Sequence, residues 1–223
     1  MDKIRIGGII EASTVDWSGH VTFLLFCAGC DFRCPFCSNS SLIPYSSGQD
    51  FSINSIKEKI SMGINRGIID AIGFTGGEPS LQTEQIIQLC RWAKEHGLNT
   101  FLNTNGNHPN SIKKLGENKL IDYVALDVKA PLEPEIYGKT IGLTRNIRKV
   151  IERVKESVIT CKKNGISLEV RTTIVPGLID DKESIRKIAK FIKDKCTIYV
   201  LQQFYPFKEV LNEKFLKKNS PDR

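Results

Sequence analysis

The 223-residue chain lacks several features that would each point to a particular class of protein. No apolar run approaches the roughly 20 residues that a membrane-spanning helix needs, so we expect no membrane partner. The first residues alternate charged with apolar side chains and contain no signal-peptide core, which predicts a cytoplasmic protein. No linker, repeat or low-complexity tract divides the chain. We therefore expect a single domain over residues 1–223, with a core over about 13–206 and a short polar C-terminal tail.

The sequence also lacks any long block of like charge, although its net charge is +7. This pattern favours a lysine-rich solvated surface over a nucleic-acid site, so we expect no nucleic-acid partner. The chain does contain seven cysteines. In an intracellular protein that number indicates metal or thiol chemistry rather than disulfides.

Six strand-like apolar runs alternate with helical patterns along the chain. The predicted strands are 21–27, 71–75, 100–103, 123–128, 168–175 and 198–204. The helical patterns cover 56–64, 86–93, 109–118, 147–158 and 185–192, with Thr83 and Asp180 or Asp181 as expected N-caps. Apolar strands separated by helices predict an α/β fold around a buried parallel sheet. An open, partial barrel and a doubly wound sheet both fit six strands, and both place the ligand site at the carboxyl ends of the strands.

The loop after the first predicted strand contains three closely spaced cysteines. Cys30, Cys34 and Cys37 have the spacing C-x3-C-x2-C. Three thiolates this close can hold an iron–sulfur cluster at three corners and leave its fourth iron without a protein ligand. An iron with an open coordination position supports chemistry, whereas a fully ligated cluster mostly carries electrons or structure.

The other predicted strands also end in polar or glycine-rich motifs. Gly76-Gly77-Glu78-Pro79 follows the second strand, where two glycines let a ligand approach the main chain and Glu78 suits a cationic ligand. The later motifs are Asn103-Thr104-Asn105-Gly106, Asp127-Val128-Lys129, Arg171 with Pro176-Gly177, and Gln202-Gln203-Phe204. Because the carboxyl ends of parallel strands meet at one edge of a sheet, we expect these motifs to form one site.

Together the motifs resemble the radical S-adenosylmethionine (radical SAM) superfamily. Its signature is C-x3-C-x2-C with an aromatic residue before the last cysteine, and Phe36 has that position here. The order of the motifs is similar to that in the activating enzymes of glycyl-radical enzymes, and among these to the activators of anaerobic ribonucleotide reductase. The resemblance covers roughly Ser13 to Pro206 and implies a partial (β/α)6 barrel of parallel strands.

The resemblance implies that Cys30, Cys34 and Cys37 hold one [4Fe-4S] cluster, whose fourth iron binds S-adenosylmethionine (SAM). It also implies a set of residues around SAM: Phe36, Ser38, Gly76, Gly77, Glu78, Asn103, Asp127, Lys129 and Arg171. Reductive cleavage of SAM would then give methionine and a 5′-deoxyadenosyl radical, which takes hydrogen from a glycine of a partner glycyl-radical enzyme. No catalytic residue is expected beyond the cofactor ligands.

The chain departs from the family pattern at two cysteine-loop positions. Ser38 follows the last cysteine where relatives often have histidine, and Cys27 is an additional cysteine. There is no cysteine-rich insertion between Asn39 and Ser52, so we expect a single cluster. A single cluster requires an external electron donor, such as a ferredoxin or a flavodoxin.

Two alternative functions remain open at this point. Cys27 extends the cysteine spacing to C-x2-C-x3-C-x2-C, which could form a closed four-thiolate site for zinc or for a fully ligated cluster, without enzyme activity. The position of Cys27 at the end of an apolar strand favours a buried core thiol instead. The second alternative keeps the radical chemistry and directs it to a small molecule or an RNA base.

Overall fold

The computed structural model describes residues 3–205 and 210–214. Within these residues there are eight strands: β1 (Lys3–Ser13), β2 (Thr22–Cys27), β3 (Gln49–Ser52), β4 (Ala71–Gly76), β5 (Asn99–Thr104), β6 (Tyr123–Asp127), β7 (Ser167–Ile174) and β8 (Ile198–Gln203). The same described ranges contain six α-helices: α1 (Ile53–Asn65), α2 (Thr83–Glu95), α3 (Pro109–Glu117), α4 (Pro134–Ile141), α5 (Ile147–Lys163) and α6 (Lys182–Ile192). The expected polar tail beyond residue 206 lies mainly outside the described residues.

All eight strands form one sheet in the order β3-β1-β2-β4-β5-β6-β7-β8. The six strands that were predicted from the sequence are β2, β4, β5, β6, β7 and β8. They are parallel to one another and lie side by side in chain order. A doubly wound sheet reverses its strand order at a switch point, and this sheet has no such reversal. Because crossovers between parallel strands are right-handed, an unreversed order places the connecting helices on one face. This is the arrangement of the predicted partial barrel.

Two strands and one helix were not predicted. β1 and β3 pair antiparallel at the edge next to β2, with Ile6 opposite Cys27 and Lys3 opposite Ser52. The sequence Gly7-Gly8 interrupts the apolar alternation of β1, and β3 is only four residues long, so neither gives a clear strand pattern. α4 has only eight residues, too few for a recognisable helical period.

The expected helix caps are confirmed at one position and wrong at the other. The Asp181 carboxylate accepts a hydrogen bond from the Ser184 N–H (2.8 Å) and caps α6. α2 begins after Gln82, without a side-chain cap, because a short 3₁₀ turn over Pro79–Gln82 leads into it. The Thr83 hydroxyl instead donates to the Ser80 carbonyl at 2.6 Å.

The two faces of the sheet differ in what covers them. The helices and alternate strand residues form the large core, which includes Phe23, Leu25, Phe74 and Leu102. The opposite side has a small apolar cluster of Trp17, Leu24, Ala71, Phe101 and Ala125, which lies between the amino ends and the middle of the strands. The carboxyl-end half of that face is thus left for polar side chains. None of the helices in the described part of the chain is long and apolar enough to cross a membrane.

Candidate active site

The cysteine loop, residues 28–39, lies across the carboxyl end of β2. Main-chain hydrogen bonds hold it: the Gly29 N–H donates to the Leu42 carbonyl (2.8 Å), and the Arg33 N–H donates to the Ile141 carbonyl (2.9 Å). Its three predicted ligands, Cys30, Cys34 and Cys37, all line one cavity of about 400 Å³, which we call the cysteine cavity. The structure therefore brings the three thiols of the motif to a common space.

The three thiols are buried enough to resist ionisation on their own. Burial raises the pKa of Cys30 and of Cys34 to about 12, and it raises the pKa of Cys37 as well. The positive charge of Lys129 acts against this rise at Cys34, and the Phe32 N–H donates to the Cys30 sulfur at 3.4 Å. Thiolates in this setting need a bound cation to hold their charge.

The donor set fits a cluster better than a single metal ion. Within residues 3–205 and 210–214, no three His, Cys, Asp or Glu side chains converge closely enough to hold one ion. Three sulfur donors from one loop, spread around a cavity, fit the larger diameter of a cuboidal iron–sulfur group. Cys30, Cys34 and Cys37 are therefore suited to hold such a group.

Cys27 does not join the other three. It is fully buried in the large core beside Leu25 and does not line the cysteine cavity. Burial raises the pKa of its thiol far above the usual range. Its packing agrees with the predicted core thiol and does not favour a closed four-thiolate site.

The glycine pair after β4 lets two loops approach each other. Gly76 has φ +110°, and a Cβ atom there would lie 2.6 Å from the Cys27 nitrogen. A Cβ atom on Gly77 would lie 2.2 Å from the Gly29 carbonyl oxygen. Both glycines also line the cysteine cavity, but the group that presses against them here is the main chain at the start of the cysteine loop.

Glu78 lies in the interior and not in the lining of the cysteine cavity. Its carboxylate accepts hydrogen bonds from the Ser80 N–H (3.0 Å) and hydroxyl (2.5 Å), the Thr104 hydroxyl (2.7 Å) and the Asn105 N–H (2.7 Å). Burial raises its pKa, and these hydrogen bonds oppose the rise. Its side chain therefore joins the loops after β4 and β5, and the structure does not bring it to the predicted SAM site.

Asp31 makes a second link between loops, which the sequence did not suggest. Its carboxylate accepts hydrogen bonds from the side chains of Asn105 (2.8 Å), Asn107 and His108 (3.0 Å). Asn105 thereby contacts both Asp31 and Glu78. The only sequence signal was the position of Asp31 between two predicted metal ligands. Because those ligands are themselves negatively charged when they bind metal, a carboxylate beside them needs neutral or cationic hydrogen-bond partners.

Most of the predicted SAM residues do line the cysteine cavity. Seven of the nine are there: Phe36, Ser38, Gly76, Gly77, Asn103, Asp127 and Lys129. Asp127 and Lys129 form an ion pair at 2.8 Å, as their shared side of the strand suggested. The Asn103 amide donates to the Thr75 hydroxyl at 3.1 Å. Thr75 belongs to the lining and was not predicted as a site residue, although it stands at a strand end.

Arg171 lies one layer below the cavity. Its guanidinium pairs with the Glu169 carboxylate, donates to the Asp16 carbonyl (3.0 Å) and lies 5.9 Å from the centre of the Phe101 ring. Thr173, two residues further along β7, lines the cavity. Because side chains on one face of a strand are two residues apart, Arg171 belongs to the interior layer under the site.

Comparison with known proteins gives a consistent family match. The sequence pattern of the Radical SAM superfamily matches residues 24–192. A protein of Methanocaldococcus jannaschii, provisionally named a glycyl-radical enzyme activating enzyme, is 36% identical over 220 residues, covering 98% of this chain and 87% of that protein. The pyruvate formate-lyase 1-activating enzyme of Escherichia coli strain K12 is 26% identical over 220 residues, covering 95% and 84%.

Solved structures share the fold. A radical SAM methyltransferase from Sphaerobacter thermophilus superimposes with a TM-score of 0.63 at 16% identity, covering 90% of this chain and 64% of that one. At this identity the likeness concerns the arrangement of strands and helices alone.

Proposed function

This chain belongs to the radical SAM superfamily, and we propose that it is an activating enzyme that installs a glycyl radical on a partner protein. The observation that carries the proposal is the cysteine cavity. Three thiols of one loop line it, and Cys27, the fourth cysteine of that segment, does not. A cluster held there would keep one iron free of protein thiolates, so that SAM can bind it.

We propose that Cys30, Cys34 and Cys37 hold the [4Fe-4S] cluster of the family. When bound, the cluster and SAM together supply one-electron cleavage chemistry that produces a hydrogen-abstracting radical. The chain itself positions these groups. The main chain of Gly76 and Gly77 offers polar groups to the SAM methionine, while Phe36 and Ser38 lie in the wall suited to its adenine.

Asp127, Lys129 and Asn103 are the polar side chains that we propose orient SAM. The Asp127–Lys129 pair is mostly shielded from solvent, with 26% and 17% of the two side chains exposed, so its charges act more strongly than in water. The Lys129 ammonium also faces Cys34, which allows one cation to balance both the carboxylate and the thiolates. Glu78 and Arg171 act indirectly in this proposal. Glu78 holds the loops after β4 and β5 together, and Arg171 belongs to the layer of side chains under the cavity.

The cavity walls limit water around the reacting groups. Phe36 packs edge-to-face against Phe204 with ring centres 6.3 Å apart, and both line the cavity together with Phe32. An aromatic wall lowers the local dielectric and leaves few partners for a reactive radical other than the intended one. We infer that the partner glycine enters from the open side of this cavity.

The partner that we propose is an anaerobic ribonucleotide reductase, with an external ferredoxin or flavodoxin as electron donor and the cytoplasm as the place of action. The order of the sequence motifs supports this choice of partner. The name of the Escherichia coli relative makes a pyruvate formate-lyase the second candidate.

The test begins with anaerobic reconstitution using iron and sulfide. We expect about four irons per chain, as one [4Fe-4S] cluster requires, and release of 5′-deoxyadenosine from SAM with dithionite. Cys34→Ala should lose both, whereas Cys90→Ala, which alters a fully buried cysteine of α2 outside the cavity, should keep both. Zinc without iron, or no deoxyadenosine from the reconstituted wild type, would contradict the proposal.

The partner is then identified by electron paramagnetic resonance. We expect a glycine-centred radical when the reconstituted protein, SAM and dithionite are mixed with an anaerobic ribonucleotide reductase. A signal that forms only with pyruvate formate-lyase would replace the proposed partner while leaving the enzyme class intact. Deoxyadenosine release without a radical on either protein would favour a small-molecule or RNA substrate.

A further inference from the structure

A group of basic side chains lies on the cysteine loop and on the segment that contacts it. The last turn of α4, the turn after it and the first two turns of α5, residues 139–153, carry five basic residues and one acidic residue. With Arg33 of the cysteine loop they form what we call the basic corner: Arg33, Lys139, Arg145, Arg148, Lys149 and Arg153. All six side chains are exposed.

These six cations have no acidic partner in the described part of the chain. The single acidic residue of the stretch, Glu152, pairs with Lys155 at 2.9 Å, and the Arg33 guanidinium donates to the carbonyls of Cys30 (2.6 Å) and Phe32 (2.8 Å). Some exposed lysines elsewhere do pair with carboxylates, as in the Lys114–Glu84 and Lys187–Glu133 pairs. The basic corner is therefore a local excess of positive charge.

The turn between the basic residues of α4 and α5 contacts the main chain of the cysteine loop directly. The Arg33 N–H donates to the Ile141 carbonyl (2.9 Å), and a Cβ atom on Gly142 would lie 2.0 Å from the Arg33 carbonyl oxygen. The cysteines on either side of Arg33 point into the cysteine cavity. The loop thus lines the cavity with its cysteines and contacts the basic segment through its main chain at Arg33.

We propose that the basic corner is the docking surface for a small acidic one-electron carrier protein. The inference rests on the proposed function, which needs one external electron for each SAM cleaved. The carrier is oxidised by one electron and the cluster site is reduced by one, with no bond made or broken. Electrons cross a short stretch of protein, so a carrier can dock at the basic corner without entering the cavity.

Two other occupants fit the corner less well. A partner that gives up a hydrogen atom must bring that atom into contact with the radical, which requires the open side of the cavity rather than the basic corner. A nucleic acid would be expected to stack bases on aromatic side chains, and residues 139–153 contain none. Exposed charge without apolar anchors instead suits a transient, electrostatically steered protein contact.

The test reverses charge at the corner in the triple variant Arg145→Glu, Arg148→Glu and Lys149→Glu. α5 has no acidic residue in its first turn, so glutamates there interact favourably with the helix dipole and should not impair folding. The control variant is Arg66→Glu, Arg91→Glu and Lys163→Glu, and Tm is measured for both triple variants first, because glutamate near a helix carboxyl end opposes the helix dipole. These three exposed residues lie toward the carboxyl ends of α1, α2 and α5, at the opposite edge of the sheet.

Deoxyadenosine release from SAM is measured with the reconstituted holoproteins and two reductants, dithionite and reduced flavodoxin. With dithionite, a small molecule that needs no docking, the corner variant should match the wild type. With flavodoxin at low ionic strength, its kcat/KM for flavodoxin should fall about tenfold or more, and the difference should shrink at high salt because the charges are screened. The control variant should match the wild type with both reductants.

Three results would overturn the docking proposal: no loss with flavodoxin, an equal loss in the control variant, or an equal loss with dithionite. A loss of glycyl-radical formation in the corner variant when dithionite supplies the electron would assign the surface to the glycyl-radical enzyme and also refute the inference. A wild-type protein that releases no deoxyadenosine with dithionite would contradict the proposed function itself, which separates the two failures.

Discussion

Replacing Gly77 by alanine tests whether the loops after β2 and β4 depend on close contact. The added methyl group would lie 2.2 Å from the Gly29 carbonyl oxygen and 2.8 Å from its carbon. Both atoms are main chain, so no side-chain rotation relieves the overlap, and the loops must separate by about 1 Å to restore van der Waals contact. That separation stretches two hydrogen bonds, from the Gly77 N–H to Cys27 (2.8 Å) and from the Glu78 N–H to Gly29 (2.6 Å).

The expected loss of stability follows from these contacts. Two weakened hydrogen bonds cost about 1 kcal/mol each, and overpacking costs a further 1–3 kcal/mol or so. Alanine recovers about 0.7 kcal/mol by restricting the unfolded chain. The sum is a loss of roughly 2–4 kcal/mol, which for a chain of this size lowers Tm by about 5–15 °C.

Gly8→Ala is the matched control, because Gly8 and Gly77 both lack a positive φ and alanine strains the backbone at neither position. Its Cβ atom would meet Phe26 at an ordinary 3.8 Å, and alanine in a strand should be neutral or slightly stabilising. Thermal denaturation followed by circular dichroism measures both variants, and iron content after reconstitution reports whether the cysteine loop still binds a cluster. Equal Tm values for the two variants would refute the reasoning.

Three further changes test the site. Cys27→Ala should keep about four irons per chain and lose only about 1 kcal/mol of stability, because Cys27 is a core thiol; an iron content that drops with this variant would make it a ligand. Arg171→Met should lower the unfolding free energy by about 3 kcal/mol, because Glu169 then lacks its cation. Equilibrium dialysis should show that the folded holoprotein binds SAM with unchanged affinity. Weaker SAM binding would show that Arg171 belongs to the cofactor site. The Asp31→Asn variant should release iron to a chelator faster than the wild type. The control Asp70→Asn, which alters an exposed aspartate–histidine pair far from the loop, should not. Equal release rates would show that Asp31 does not support the cysteine loop.

Buried residues alternate along β7 and none of the β8 residues is buried, whereas β2, β4, β5 and β6 were predictable because they are buried on both faces. Residues such as Phe23, Leu24 and Leu25 must then all be apolar, and an unbroken apolar run is visible without knowledge of the fold. β1 lies near the edge with one face partly exposed, and its pattern is interrupted by Gly7 and Gly8. Its position depends on pairing with β2, which the local sequence does not encode.

Side-chain direction was the part of the site that the sequence could not give. Glu78 follows the end of β4 and Arg171 lies within β7, both close in sequence to residues that line the cavity, so their chemistry suggested a ligand role. The structure places Glu78 among four internal hydrogen bonds and Arg171 beside Glu169. A shift of two residues along the same face of a strand, as between Arg171 and Thr173, decides whether a polar group reaches the cavity or the interior layer below it.

The sequence by itself determined the chemistry of the centre, because three thiols with short, fixed spacing sit in one loop, and chain connectivity alone keeps them together. Tertiary structure decided everything that depends on distant segments meeting. It moved Cys27 into the core, joined Asp31 to His108 across 77 residues, and set the turn between α4 and α5 against the cysteine loop. Such contacts join residues that are far apart in the sequence, and they form only when the strands pair side by side in the sheet. A local sequence pattern does not predict which strands pair.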